Sequence, residues 1–250
     1  MLEDKTVHVK KIRYQLFLSI FLILCMSCYQ KKKVFRIPDG HIAMFGYGSL
    51  MSKKFIQTGL LQKNYQGPFL SAHLKGFKRS WTFAWPSTLP SLEPDGKYYR
   101  YYYVNETDTI YPKLIHYLNI IQDSNTVING VLYIVPKADL TTYDSWELGY
   151  ERIDVTDMIQ DYTIEGGPVF AYRALADFVV KPTNDPKQHL IELSYSNILM
   201  DAFHFWGKEF EKEYKNSTEP FDSLILKDSH KTLWTNPPLE KIIELKSIFK

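Results

Sequence analysis

The segment that decides the fold is His41-Ile42-Ala43-Met44-Phe45-Gly46-Tyr47-Gly48-Ser49-Leu50-Met51. A short apolar run, typical of a strand, leads into two glycines that flank a tyrosine, and a helix start follows. Such a junction exposes backbone N–H groups that lack partners inside the helix, which makes it a candidate anion site. Ordinary turn chemistry also explains a Gly-x-Gly pattern, so a binding role requires a matching chemical group elsewhere in the chain.

Length and composition indicate a globular protein without a polyanionic partner. The 250 residues are 45% hydrophobic and 23% charged, enough for one large domain or two small ones with a sizeable core. The formal net charge is only +2 at pH 7. We therefore expect no nucleic-acid partner.

Cysteine and histidine positions argue against thiol and metal chemistry. Cys25 and Cys28 are the two cysteines of the chain, so the body from Tyr29 onward contains none. This excludes a disulfide framework, a thiol nucleophile and a thiolate metal site in the body. The histidines never approach metal-ligand spacings such as HxH or HExxH. The sequence therefore predicts no metal.

The N-terminal segment is typical of an exported protein. Basic residues at positions 10, 11 and 13 precede an apolar run over residues 16–26, which is too short to span a bilayer but fits a signal peptide. The run ends at Leu24-Cys25-Met26-Ser27-Cys28, which resembles a bacterial lipoprotein signal with Cys28 as the lipidated residue. An uncleaved signal anchor is the alternative.

This segment sets the expected organisation and location of the chain. We expect a signal peptide and lipid-anchor segment over residues 1–28, a linker over 29–40 and one domain over 41–250. The lipid or signal anchor would place the protein on a membrane, as an extracytoplasmic lipoprotein of the bacterial envelope.

Glycines and prolines divide the body into strands that precede helices. Alternating or continuous apolar runs predict strands over residues 41–45, 69–74, 77–83, 126–136, 150–155 and 169–175. Helical spacing predicts helices over residues 52–60, 138–147 and 239–245, and a longer one that Ser196 caps and that carries Leu199, Phe203, Trp206 and Phe210. We interpret that aromatic stripe as core packing and not as a cofactor site. The order of elements predicts an α+β single domain.

A tyrosine-rich segment over residues 97–104 has two interpretations. Its aromatic and cationic side chains resemble a surface for stacking nucleotide bases. Tyrosine is also a good strand former, and two cations do not make an electrostatic track. A strand or hairpin arm is the favoured interpretation.

Glu147 is the candidate acid. Leu140, Tyr143 and Glu147 share one helical face, and Gly149 follows as a helix stop. A carboxylate held against apolar neighbours has a raised pKa, which suits proton transfer near neutrality. An exposed glutamate or a partner for Arg152 is the alternative.

Several short motifs occur in the order typical of one family. They are Phe45-Gly46-Tyr47-Gly48-Ser49-Leu50, the strand Gly130-Val131-Leu132-Tyr133-Ile134-Val135, the block from Asp144 to Val155 that contains Glu147, Gly149, Tyr150 and Arg152, and Ala171-Tyr172. Together they resemble the γ-glutamylcyclotransferase-like family over about residues 41–175.

The resemblance implies a mixed β-barrel or sheet flanked by helices, in which the loop and the acid meet in one pocket. It implies an enzyme that converts a small γ-glutamyl amine or peptide to 5-oxoproline and a free amine, with no cofactor. Glu147 would be the general base and acid, and the substrate would contact Gly46, Tyr47, Gly48, Ser49, Leu50, Tyr150 and Tyr172.

Two non-enzymatic alternatives stay open from the sequence. One is a lipid-anchored binding module that uses the same pocket for an amino-acid-like ligand. The other is a surface adhesin that uses the tyrosine-rich insertion between residues 86 and 126. The sequence does not identify the leaving amine or the oligomeric state.

Overall fold

The computed structural model describes residues 32–59, 65–92 and 96–248. The described residues from Val34 onward belong to one compact unit. The predicted signal peptide and the lipidation site at Cys28 lie outside the described residues. Among the described residues, no helix combines the length and the apolar character that a membrane span needs.

Strands dominate the first two thirds of the described chain, and helices follow. The strands are β1 (Lys33–Arg36), β2 (His41–Gly46), β3 (Phe69–Pro86), β4 (Ser91–Leu92), β5 (Tyr98–Asn105), β6 (Asp108–Ile110), β7 (Leu114–Pro136), β8 (Tyr150–Asp154), β9 (Tyr162–Glu165), β10 (Val169–Ala174), β11 (His189–Glu192), β12 (Leu226–Lys227) and β13 (Ser229–Leu233). The α-helices are α1 (Lys53–Gly59), α2 (Leu140–Trp146), α3 (Leu193–Trp206), α4 (Lys208–Asn216) and α5 (Leu239–Ile248).

The main sheet is mixed and is built around β7. Its order is β12-β11-β7-β2-β10-β8, and β3 also pairs with β7. Strand β2 is antiparallel to β7 and parallel to β10. Residues 42–45 of β2 are at most 1% exposed, because the sheet is covered on both faces at this point. The predicted α+β class, a mixed sheet flanked by helices, is confirmed.

The structure of strand β3 differs from the two strands that the sequence predicts in this region. The sequence predicts two strands separated at Gly76, whereas the structure has one strand that pairs with β7 from Phe69 to Pro86, with register shifts between Lys75 and Phe77 and between Ser80 and Phe83. The pairing register shifts between Lys75, which pairs with Val127, and Phe77, which pairs with Gln122, so the irregularity at Gly76 skips residues 123–126 of β7 without ending β3.

The structure also corrects the prediction of a single aromatic helix. The sequence predicts one helix capped by Ser196, but α3 begins at Leu193, and α4 is separate from it. Gly207 lies between the two helices with φ +90°, a conformation that glycine adopts without steric cost. Leu199, Phe203 and Phe210 are buried, so the core-packing interpretation of the stripe is confirmed.

The tyrosine-rich segment is strand β5 and belongs to a second sheet. Strands β4 and β13 flank β5, and β6 also pairs with it; we call these four strands the tyrosine sheet. Tyr101 and Tyr103 are 7% and 3% exposed and pack in one core cluster with Phe83 and Trp85. The strand interpretation is therefore confirmed, and these two tyrosines serve packing.

Candidate functional site

The glycine loop, residues 46–50, follows the predicted course from strand to helix. Strand β2 ends at Gly46, and a 3-10 turn over Ser49–Met51 precedes α1. The Ser52 hydroxyl accepts a hydrogen bond from the Phe55 N–H at 3.1 Å, as expected of an N-cap. The loop is folded so tightly that a Cβ added to Gly46 would lie 2.5 Å from the Leu50 carbonyl oxygen.

Tyrosines tie the glycine loop to strand β10. The Tyr47 hydroxyl donates to the Tyr172 carbonyl at 2.7 Å, and the Tyr172 hydroxyl donates to Asp144 Oδ1 at 2.9 Å. Asp144 in turn lies 3.2 Å from Arg152 Nε. Burial raises the pKa of Tyr47 and of Tyr172, so both hydroxyls stay protonated and remain donors.

Glu147 is the C-cap of α2, one residue beyond the last helical residue. Its N–H donates to the Tyr143 carbonyl at 3.0 Å, and its own carbonyl accepts from the Tyr150 N–H at 3.0 Å. Two causes raise the pKa of Glu147 to about 7. The larger is the removal of its side chain from water, and the smaller is the negative charge of Asp144. The carboxyl group is therefore suited to accept and return a proton near neutral pH.

Glu147 and the glycine loop line the same cavity, which has a volume of about 680 Å³. The predicted site residues that line it are Tyr47, Gly48, Ser49, Leu50, Glu147, Tyr150 and Tyr172. Burial above all, with a further contribution from the charge of Glu147, raises the pKa of Tyr47 and of Tyr150. Gly46 does not line the cavity but packs against Leu50 and shapes the loop.

Sequence reasoning missed Tyr195, which lies against the glycine loop. Its hydroxyl is hydrogen-bonded to the backbone of Ser49 and of Leu118. A Cβ on Gly48 would lie 2.6 Å from that hydroxyl, so the close contact requires a glycine at this position. The predicted helix begins after Ser196, so Tyr195 lies outside it, and no local pattern marks this tyrosine as a site residue.

Sequence reasoning also missed Glu192 and Tyr117, which line the same cavity. Their one sequence signal is weak: Glu192 is an acid at the end of an apolar strand, after Leu190 and Ile191. In the described part of the chain, no group of three or more histidine, cysteine, aspartate or glutamate side chains is arranged to hold a metal ion.

Comparison with known proteins gives likeness of fold only. No protein-family model and no curated protein matches the chain. Solved structures that resemble it include γ-glutamyl cyclotransferases. One of these is 16% identical with a TM-score of 0.45, and the match covers 83% of this chain and 99% of that one.

Two further solved structures have similar levels of likeness. The uncharacterized protein loc79017 from Homo sapiens is 18% identical with a TM-score of 0.46, over 83% of this chain and 99% of that one. A γ-glutamyl cyclotransferase specific to glutathione, from yeast, is 13% identical with a TM-score of 0.37, over 71% of this chain and 97% of that one. At these values the likeness says nothing about the reaction of this chain.

Proposed function

We propose that this protein is a γ-glutamyl cyclotransferase, which converts a γ-glutamyl amine or peptide to 5-oxoproline and a free amine. One observation carries the proposal: Glu147, with a pKa raised to about 7, lines the same cavity as the glycine loop. This cyclisation needs a group that carries a proton and, beside it, a cluster of backbone N–H donors.

The reaction steps balance with Glu147 as the proton carrier. The carboxylate takes a proton from the α-ammonium of the substrate, and the free amine attacks the γ-carbonyl carbon. The new N–C bond closes the ring, the ring nitrogen releases a second proton to solvent, the amide C–N bond breaks, and Glu147 returns its proton to the departing nitrogen. Because attack is intramolecular, holding the substrate in a folded conformation lowers much of the barrier.

The glycine loop provides the electrostatic part of the site. Its N–H groups at Gly48 and Leu50 would bind the α-carboxylate or the oxyanion that develops on the γ-carbonyl, whereas the Ser49 N–H is hydrogen-bonded to the Tyr195 hydroxyl. Each charge-assisted hydrogen bond of this kind contributes about 1.5–3 kcal/mol. Tyr150 and Tyr172, whose side chains line the cavity, would limit how the glutamyl group turns.

The test is release of 5-oxoproline by the purified full-length chain. We would incubate it with γ-glutamyl amides of amino acids, alkylamines and diamines and quantify the product by mass spectrometry. We expect kcat/KM to rise with pH through a midpoint near 7, because the ionised form of Glu147 is the base. Absence of product from every substrate would contradict the proposal, and calorimetric binding without turnover would favour the binding module.

We also propose that the chain is a lipoprotein of the bacterial envelope, anchored through Cys28. The support is the basic and apolar character of the leader and the Ser27-Cys28 pair at its end. Replacement Cys28→Ser should move the full-length protein from the membrane fraction to the soluble fraction, whereas the control Cys25→Ser should leave it in the membrane. Retention of Cys28→Ser in the membrane would show that lipidation at this position is not the anchor.

A further inference from the structure

Arg79, on β3, is a cation in the core whose charge no acid balances. The residue is 0% exposed. Burial lowers the pKa of its guanidinium to about 10, so the group stays charged at neutral pH. Among the described residues, the side chains whose charges act on it are Tyr214, Tyr47 and Tyr195. Burial raises the pKa of each of these tyrosines, so all three are neutral and leave the charge of Arg79 uncompensated.

Neutral groups surround the guanidinium of Arg79. Nη1 donates to the Thr218 hydroxyl at 2.9 Å, and Nη2 donates to the Asn129 carbonyl. The centroid of the Tyr214 ring lies 4.2 Å from Cζ, and Nε has no acceptor among the described residues. These contacts tie β3 to β7 and to the end of α4, but they replace only part of the hydration that a charge loses on burial. An anion placed nearby would offset part of the remaining cost.

The first residue of the glycine loop packs beside the strand that holds Arg79. Asn129, whose carbonyl accepts from Arg79, precedes Gly130 in β7. A Cβ added to Gly130 would lie 2.6 Å from the Gly46 carbonyl oxygen. Two consecutive residues of β7 therefore link the guanidinium to the start of the loop.

The charge of Arg79 acts on the loop side of the cavity. Burial is the main cause that raises the pKa of Tyr47, in the glycine loop, and the charge of Arg79 opposes that rise. The pKa of Glu147, by contrast, responds to burial and then to Asp144. The positive potential of Arg79 is therefore felt at the loop and not at the proton carrier.

We propose that Arg79 is a positioning residue for the α-carboxylate of the γ-glutamyl group. Arg79 does not line the cavity, so it acts from behind the glycine loop and favours an anion at the N–H groups of Gly48 and Leu50. This inference rests on the proposed cyclotransferase function and names the substrate group that the loop holds. The α-carboxylate is negative throughout the reaction, whereas the oxyanion on the γ-carbonyl exists only briefly, so a permanent buried cation suits the carboxylate.

Two ligands that differ in charge at this one group test the inference. They are 5-oxoproline, which is an anion, and its neutral carboxamide, 5-oxoprolinamide. Ligand-observed NMR titration of the purified full-length chain measures both dissociation constants without any turnover. We expect the wild type to prefer the anion, and Arg79→Gln to lower that preference by about three- to tenfold, as for unit charges on the order of 10 Å apart in a partly screened interior.

Two further variants separate the charge of Arg79 from its packing. Arg79→Lys keeps the charge and should keep most of the preference for the anion. Arg36→Gln removes an exposed cation of β1 that pairs with Glu165, and it should leave the preference unchanged. If Arg79→Gln does not fold, Asn129→Asp replaces it: this change keeps Arg79 and places a carboxylate beside the guanidinium, so it should lower the preference in the same way.

Several results would overturn the inference. They are an equal weakening of both ligands in Arg79→Gln, which would indicate a structural role alone, an unchanged preference in that variant, and a wild type that binds neither ligand or does not distinguish them. Failure of the proposed function is a separate result, because the titration needs no reaction. A preference that depends on Arg79, without 5-oxoproline release from any amide, would support the carboxylate site and end the enzymatic claim.

Discussion

Glu147→Gln is expected to lower kcat for 5-oxoproline release by about 10²–10⁴-fold. The amide keeps the shape of the side chain and its place in the cavity, but it cannot accept a proton from the α-ammonium and return it. The initial rate of 5-oxoproline formation measures the loss. Glu244→Gln is the matched control, because that glutamate is exposed on α5 and pairs with Lys241 at 2.9 Å. A Glu147→Gln enzyme as active as the control would end the catalytic claim.

The same variant is expected to be more stable than the wild type above pH 7. In the folded chain the pKa of Glu147 is about 7, whereas in the unfolded chain it is near 4.5. As pH rises from 4.5 to 7, the unfolded chain loses this proton more readily than the folded one, so the free energy of unfolding falls. An amide side chain at this position is neutral and avoids the loss, so Glu147→Gln should gain about 1–3 kcal/mol above pH 7 and little below pH 4.5.

Urea unfolding at pH 4.5, 6 and 8 measures this effect. An equal stability difference at all three pH values would show that Glu147 does not titrate differently in the folded chain. A gain in stability together with a loss of activity is the combination expected of a functional acid that the fold does not need.

Gly46→Ala is expected to have the largest effect of any change in the glycine loop. The added Cβ would lie 2.5 Å from the Leu50 carbonyl oxygen and 2.7 Å from the carbonyl carbon, and a rigid 3-10 turn cannot give way without moving the loop. We expect the free energy of unfolding to fall by about 1–3 kcal/mol or more and the remaining folded protein to lose 5-oxoproline release.

Gly167→Ala is the control for this prediction. The Cβ added there would come no closer than 3.3 Å to other atoms, so a small adjustment of its neighbours accommodates it. Thermal unfolding and the 5-oxoproline assay of both variants measure the contrast. A Gly46→Ala protein with wild-type stability and activity would show that the tight fold of the loop is not required.

Features set by short stretches of sequence were predictable. The end of β2 at Gly46 follows from a local change from apolar residues to glycines, and Ser52 caps α1 for the same local reason. The motif block around Glu147 likewise identified an acid in the cavity. The structure places Glu147 at the C-cap of α2, at the end of the predicted helix.

Features set by distant contacts were not predictable. Glu192 and Ser229 form a hydrogen bond although 37 residues separate them, and the Tyr47 hydroxyl donates a hydrogen bond to a carbonyl 125 residues away. Helical spacing does not reveal that one helix ends and another begins at Gly207. The aromatic residues before and after this glycine keep the spacing of a single helix. The continuation of β3 past Gly76 was missed for a similar reason: pairing with β7 resumes at Phe77, and the partner residues lie about 50 positions further along the chain.

The tyrosine sheet shows how an insertion without a sequence motif contributes to a site. Its composition predicted a strand, but only pairing with β13 brings Tyr101 and Lys231 to the cavity. Because β13 lies more than 100 residues further along the chain, no local pattern indicates that the two strands meet.

A crystal structure of Glu147→Gln with γ-glutamyl-n-pentylamide tests the central claim most directly, because this variant should bind the amide without consuming it. We expect the α-amine of the ligand within about 3 Å of the side chain at position 147 and a ligand oxygen bonded to N–H groups of the glycine loop. A glutamyl group bound outside the cavity, or inside it but beyond hydrogen-bond reach of position 147, would contradict the claim.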